Sequence, residues 1–246
     1  MNALELLNIG ANELRKRKID TFRLDSELLL SKTLNKKREE ILINLDLEVC
    51  AKNLLKYKNL IVRRSQNEPI AYILKEKEFW SKTFFVNSDT LIPRPETELL
   101  VEKLITTFKE KKISILDMGT GSGCILISLL SELKSSKGIG IDISKKALEI
   151  AKKNANRHGI SNNIKFFNKP IDSEFNQKFD LIVSNPPYII SNEIKNLKED
   201  VKKYEPRIAL DGGNDGLDLI KKVIYKTKYI LKVKGMLALE IGNGQF

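Results

Sequence analysis

Over the first 75 positions, apolar residues recur at helical spacing. Leu4, Leu7, Ala11 and Leu14 mark one helix, and Leu24, Leu28 and Leu29 a second. Leu54, Leu55, Ile61 and Val62 mark further turns, with Thr21 or Asp25 as the expected cap of the second helix. Glycine occurs here only as Gly10, and no proline precedes Pro69. The pattern predicts a small domain of roughly three to five helices over residues 1–75. It then changes. Phe79, Trp80, Phe84, Phe85 and Val86 are aromatic or β-branched at short intervals, which predicts a β-hairpin linker over residues 76–95. Leu91-Ile92-Pro93-Arg94-Pro95 excludes regular structure until Glu96 opens a helix that runs to about Phe108.

From residue 113 short apolar runs alternate with amphipathic stretches. Strands are predicted over 113–118, 138–143, 164–167, 179–184 and 236–241, and helices over 124–133, 145–157 and 217–231. Such β/α alternation predicts an α/β fold over residues 96–246: a doubly wound, mostly parallel, Rossmann-like sheet behind the small helical domain.

The overall balance, 41% hydrophobic and 30% charged, is that of an ordinary globular chain. The longest apolar runs, such as residues 125–130, are far too short to span a bilayer. The N-terminus lacks the basic and apolar regions of a signal peptide, so a cytoplasmic protein without a membrane partner is expected. Cys50, Cys124 and the single histidine, His158, are too few for a disulfide framework, a zinc site or His-based catalysis, and no metal is expected. The net charge of +11 would suit RNA or a ribosomal partner, but residues 1–75 carry 15 basic and 10 acidic groups, so the excess is not concentrated there.

Asp117-Met118-Gly119-Thr120-Gly121-Ser122-Gly123 ends the first strand of the sheet and opens a helix. Alternate glycines let backbone turn sharply and approach a ligand that a Cβ would obstruct. The third glycine follows the second by two residues and no Gly-Lys-Ser/Thr comes after, so this is neither the dinucleotide fingerprint nor a P-loop. The second strand ends in Gly140-Ile141-Asp142, where a carboxylate can accept both ribose hydroxyls. Gly119, Thr120, Gly121, Ser122, Gly123 and Asp142 are therefore the expected contacts of an adenosyl ligand, with Asp117 ordering the loop or meeting the ligand's amino group.

The fourth strand ends in Asn185-Pro186-Pro187-Tyr188. Two prolines fix φ and remove two donors, which makes a rigid segment beside the glycine loop. The Asn185 side-chain oxygen and the Pro186 carbonyl can accept both hydrogens of an –NH2 group, and Tyr188 offers a face for a planar amide or base. An amide nitrogen is a poor nucleophile because its lone pair is delocalised. Two acceptors orient it and stabilise the positive charge that develops on it during alkylation. Asn185, Pro186 and Tyr188 are the expected catalytic contacts, Pro187 joins them as substrate-binding, and Asn185 also faces the cofactor.

With these motifs the chain resembles the HemK/PrmC family of peptide chain release factor glutamine N5-methyltransferases. The likeness extends to Pro93-Arg94-Pro95-Glu96-Thr97-Glu98, Tyr204-Glu205-Pro206-Arg207, residues 212–217 and Glu240-Ile241-Gly242 with Gln245. The resemblance implies S-adenosylmethionine as methyl donor and, as target, the glutamine of a Gly-Gly-Gln motif in class 1 release factors, a step of translation termination. It implies that the helical domain recognises that protein. It implies that Arg94 and Glu98 brace the cofactor side or form a structural ion pair. Where relatives carry an acidic-aromatic pair near adenine, this chain has Lys169-Pro170-Ile171-Asp172, leaving Asp172 as a candidate. Relatives continue past the position of Phe246 with another helix and an antiparallel strand pair, so the expected sheet lacks its C-terminal strands. Two other readings of the same residues stay open: a nucleic-acid amino-methyltransferase acting on adenine N6 or guanine N2, and a truncated, non-catalytic relative that binds release factors.

Overall fold

The computed structural model describes residues 1–245, and the chain divides into two compact units between Lys75 and Glu76. The first unit holds helices α1 (Ala3–Lys16), α2 (Phe22–Leu34), α3 (Arg38–Ile43), α4 (Ala51–Ser65) and α5 (Ile70–Leu74). Asn2 and Glu5 close a capping box on α1, each side chain accepting the other's backbone N–H at 3.0 Å. The buried stripe of α1 is Leu6, Leu7, Gly10 and Leu14, whereas Leu4 is exposed. Neither expected cap of α2 acts as one. Thr21 stands at the N-cap but makes no cap bond, and its hydroxyl donates to Asp25. Asp25 is buried because it pairs with Arg64 of α4 at 2.6 Å.

The second unit begins with an antiparallel hairpin, β1 (Glu76–Phe79) and β2 (Lys82–Phe85), turned at Trp80 and Ser81, both at φ 51°. It is not a free linker. Phe79 and Phe84 are fully buried in the same cluster as Val101, Leu104 and Leu126. Then follow α6 (Glu96–Phe108), β3 (Ser114–Met118), α7 (Cys124–Glu132), β4 (Lys137–Asp142), α8 (Lys145–Arg157), β5 (Ile164–Asn168), β6 (Phe179–Ser184), α9 (Glu199–Tyr204), α10 (Asp218–Ile230) and β7 (Leu231–Leu239). The short helix α9 and the 3-10 turns around it carry no apolar period and were not expected.

The five strands pair in parallel in the order β5-β4-β3-β6-β7. Side chains alternate across the sheet as the pleat requires. Ile115, Leu181 and Val183 enter the core under α6 and α7, while Leu116, Met118 and Ile182 meet Val223 and Ile230 of α10 on the other face. Helices thus cover both faces, the doubly wound arrangement. β7 starts before its expected position because Leu231 pairs with Phe179. A bulge with Lys234 at φ 64° follows, and regular register resumes at Met236. Strand order reverses between β3 and β6, and ligands of such sheets bind beyond the strand ends at that point. Among the described residues no helix is long and apolar enough to cross a membrane.

In the helical unit, Tyr57 of α4 lies over Gly10 of α1. The Tyr57 hydroxyl is 2.7 Å from Ser26 Oγ and donates to the Leu6 carbonyl at 3.2 Å; burial pushes its pKa up to about 12. In an open helix, Gly→Ala gains roughly 0.5–1 kcal/mol. At Gly10 a Cβ would meet the Tyr57 oxygen at 2.0 Å and Ile61 Cδ1 at 2.9 Å, and overpacking costs about 1–3 kcal/mol. Gly10→Ala is therefore expected to lower the urea midpoint of the chain, followed by circular dichroism. A raised midpoint would show that α4 can retreat from α1 at no cost.

Candidate functional site

The carboxyl ends of β3, β4 and β6 border a cavity of about 630 Å³, within the usual range for small-molecule sites. Its floor is the loop after β3. Gly119 and Thr120 both donate their N–H to the Ile141 carbonyl at 2.9 Å, and the Gly123 N–H returns to Thr120 at 2.8 Å. Gly119 and Gly121 sit at φ 75° and 54°, and a Cβ at either would meet no protein atom within 4 Å. Their lack of side chains leaves open space on the cavity side. Gly123, at φ 81°, does something else: a Cβ there would lie 2.9 Å from Ile127 and 3.3 Å from Ala151. It does not line the cavity, and it serves the close packing of α7 on α8.

Asp142 is already half engaged. One carboxylate oxygen accepts the Gly121 N–H at 2.9 Å and the other the Ser144 N–H at 2.8 Å. A carboxylate has roughly four lone-pair sites, so each oxygen keeps capacity towards the cavity, which Asp142 lines. Ile143, Lys169, Pro170, Ile171 and Asp172 continue that wall. The two isoleucines provide an apolar surface that the strand pattern had not signalled. Asn154, fully buried, ties the floor to its surroundings by donating to the Ser122 and Phe85 carbonyls at 2.8 and 3.1 Å.

Across the cavity, the end of β6 is fastened to β3 where Ser184 Oγ donates to the Met118 carbonyl at 2.5 Å. Asn185, Pro186 and Pro187 then line the opposite wall. Beyond them the chain is strapped down. Ile189 and residues 210–212 exchange backbone bonds of 3.0 and 2.8 Å, and Gln245 Nε2 donates to the Tyr188 carbonyl at 3.1 Å. This strap directs the Tyr188 ring to the β7 side, close to Gly242 and with its hydroxyl 3.4 Å from Glu240. Tyr188 is not among the residues that line this cavity; of the Asn185-Pro186-Pro187-Tyr188 tetrad, the first three do.

Two further acids were not legible as site residues. Thr97, at the start of α6, donates to Glu240 Oε2 at 2.6 Å across 143 positions of sequence, and Asn185 Nδ2 lies 3.4 Å from the Thr97 oxygen. Glu205, its side chain almost wholly buried, accepts from Arg94 at 2.5 Å and from the Ile92 N–H at 3.1 Å. The ion pair of Arg94 is therefore with Glu205. Glu98 faces the hairpin, accepting the Trp80 N–H at 2.9 Å, and does not line the cavity. Only the motif likeness pointed to these segments; no local spacing could join them.

Burial raises Asp117 to about 7, against the opposing bond from the Thr120 hydroxyl at 2.6 Å. Its other oxygen, Oδ1, is buried and makes no hydrogen bond among the described residues. Burial likewise raises Asp142, against the Ser144 and Gly121 amides, and Tyr188, with Glu240 adding to the rise. The thiol of Cys124, which borders the cavity, is pushed by burial up to about 12 and stays protonated. His158 is elsewhere, against Phe84 and the Thr83 carbonyl.

Residues 5–74 match the PrmC N-terminal domain and residues 109–237 a methyltransferase domain. The chain is 45% identical to the release factor glutamine methyltransferase of Buchnera aphidicola subsp. Schizaphis graminum, over 89% of this chain and 79% of that one. It is 37% identical to the release factor glutamine methyltransferase of Geobacter sulfurreducens, over 94% of this chain and 81% of that one. Among solved structures, a ribosomal protein L11 methylase from Lactobacillus delbrueckii subsp. bulgaricus superposes with a TM-score of 0.45 at 21% identity. That likeness covers 63% of this chain and 65% of that one.

The raised Asp117 carboxyl makes stability pH-dependent. The folded chain holds this proton up to about 7, whereas the unfolded chain releases it near ~3.9. The contribution is fully present below the unfolded value and is lost as pH rises through the folded one. Between pH ~5 and ~8, ligand-free protein is expected to lose on the order of 2–3 kcal/mol through this group. Asp117→Asn should flatten that fall, read from urea midpoints at both pH values. An unchanged pH dependence would mean that Asp117 is ionised in the fold throughout.

Proposed function

The chain belongs to the release factor glutamine methyltransferase family, and on that premise we propose that it methylates the side-chain amide nitrogen of a glutamine in a class 1 release factor. The target glutamine is that of a Gly-Gly-Gln motif, and the methyl donor is S-adenosylmethionine. The observation that carries this reading is the pairing of two walls across one cavity. The floor at Gly119 and Gly121 is open to a ligand that a Cβ would exclude, with Asp142 beside it. Opposite stands Asn185-Pro186-Pro187, and the Asn185 side chain makes no hydrogen bond among the described residues other than that to Thr97.

The residues present fit that donor. Residues 119–122 and Asp142 would hold its amino-acid and ribose portions, with Ile143 and Ile171 as apolar walls for its base. Bound there, the group supplies a methyl on a positively charged sulfur. The chain's own part is to hold and orient the acceptor. Asn185 Oδ1 and the Pro186 carbonyl accept the two hydrogens of the glutamine –NH2, which fixes the nitrogen's lone-pair axis and favours positive charge as it develops on that nitrogen. Holding two reactants in line supplies part of the barrier reduction, up to about 7–11 kcal/mol in the best-oriented cases. Pro187 shapes the slot and Tyr188 backs it. Neither Cys124, kept protonated, nor His158, outside the cavity, is needed as a base before transfer. The methylated nitrogen is acidic enough to give up one of its two protons to water. The helical unit serves protein recognition, and enzyme and substrate meet in the cytoplasm.

The test is methyl transfer from labelled S-adenosylmethionine to a class 1 release factor and to a version whose Gly-Gly-Gln glutamine is alanine. Label is expected only on the first. Equal labelling of both, or transfer to DNA or RNA in their place, overturns the reading. Asn185→Ala is expected to slow transfer at least ~100-fold, the scale for losing one preorganised polar contact, while affinity for the donor changes far less. Near-normal turnover would make Asn185 a structural residue.

A further inference from the structure

An asparagine carboxamide has two nearly isosteric ends, an acceptor oxygen and a donor –NH2, and only its hydrogen-bond partners decide which way it faces. At the end of β6 this choice decides the chemistry. With Oδ1 towards the cavity the site holds an incoming –NH2; with Nδ2 there, donors would face donors. We infer that Glu240, acting through the Thr97 hydroxyl, is a positioning residue that sets the orientation of the Asn185 amide. The inference rests on the proposed function and extends it to two side chains outside the tetrad.

The direction of the chain is forced by counting donors. A carboxylate only accepts, so at the Glu240 Oε2 contact of 2.6 Å the Thr97 hydroxyl must donate. That distance is in the short range of charge-assisted bonds. A hydroxyl has one proton to give, so towards Asn185 the Thr97 oxygen can only accept. The group it faces at 3.4 Å is Nδ2. This contact is long, and it contributes direction more than strength. Oδ1 is thereby turned away from Thr97. Thr97 is 2% exposed, so water has little room to take over its role. The second oxygen of Glu240 lies 3.4 Å from the Tyr188 hydroxyl, so one carboxylate serves two members of the tetrad.

Backbone geometry holds each member in place. Glu240 follows β7 in register with β6, its N–H donating to the Ser184 carbonyl at 3.0 Å, one residue before Asn185. Thr97 sits in the first turn of α6, where its N–H bonds the Arg94 carbonyl at 3.2 Å. Arg94 is itself anchored on Glu205. Both Pro93-Arg94-Pro95-Glu96-Thr97-Glu98 and Glu240-Ile241-Gly242, known from sequence only by likeness, thus converge on one amide.

Two measurements test the relay. In transfer to a release factor, Thr97→Val is expected to lower kcat at least ~10-fold, with donor affinity within about twofold of wild type, while Thr97→Ser keeps most of the rate. In an Asn185→Ala background Thr97→Val should cost nothing further, because the two residues act as a unit. An additive loss, or a Thr97→Val protein with wild-type kcat, overturns the relay. The orientation is also read without substrate, by nuclear magnetic resonance of isotope-labelled protein. The Asn185 side-chain amide signal, identified by its absence in Asn185→Ala, is expected to shift in Thr97→Val and Glu240→Gln but little in Thr97→Ser. A signal unmoved by Thr97→Val overturns the relay whether or not the wild type proves to methylate a release factor. A wild type that transfers no label to release factor, with the shift present, would instead refute the substrate reading and leave the relay standing.

Discussion

The site depends on the parallel neighbourhood of β3 and β6. They are far apart in sequence yet paired from Ile115 with Leu181 to Asp117 with Val183. Because these strands run the same way, both end at one edge, and the loops that leave them must diverge. The bond from Ser184 Oγ to the Met118 carbonyl pins the two ends together just before they part. One loop becomes the glycine floor and the other the Asn185 wall. The separation of the two cavity walls is therefore set by the spacing of two strands in a buried sheet, among the stiffest parameters a protein has. Loops supply the cavity walls; the sheet supplies their separation.

Around that frame, several buried or half-buried polar side chains find partners remote in sequence. Asn154 joins β2, α8 and the glycine loop. Glu205 gathers the Ile92 amide and Arg94, and Glu240 gathers Thr97 and Tyr188. Breaking such a network by removing one partner leaves a buried group unsatisfied, which costs more than the bond contributes. This fastens residues 91–95, which have no regular structure, ahead of α6. Two prolines fix their backbone, Glu205 takes the Ile92 N–H and the Arg94 side chain, and Glu240 takes the Thr97 hydroxyl at the start of the helix that follows.

The legible parts of the molecule were those with a local signature. Pattern placed α6, α8 and β6 at their observed bounds because the two helices bury one face in a regular repeat and β6, buried on both faces, reads as an unbroken apolar run. Gly119 and Gly121 could be read because only glycine leaves that space open, and Asp142 because its place at the end of β4 is dictated by one βαβ step. What escaped was of two kinds. Some groups acquire their roles only through long-range pairing, such as Thr97 with Glu240, or Arg94 with Glu205 where Glu98 had been expected. Others depend on side-chain direction. Gly123 packs helices, Asp25 pairs with Arg64 in place of capping α2, and Tyr188 turns to the β7 side, none of which a residue type announces. The hairpin read as a linker was a packing matter too, since only the fold shows Phe79 and Phe84 entering the core.

The place of Cys124 in the cavity wall has a chemical corollary. The cavity has a sulfur atom in its own lining, and thiolates are far better nucleophiles than any amide. With its pKa pushed up to about 12, that thiol keeps its proton at neutral pH, and the protonated form is a weak nucleophile. Discrimination against the protein's own thiol thus rests on its acidity, so the catalyst can carry a soft nucleophile in its wall without being consumed by its own reagent.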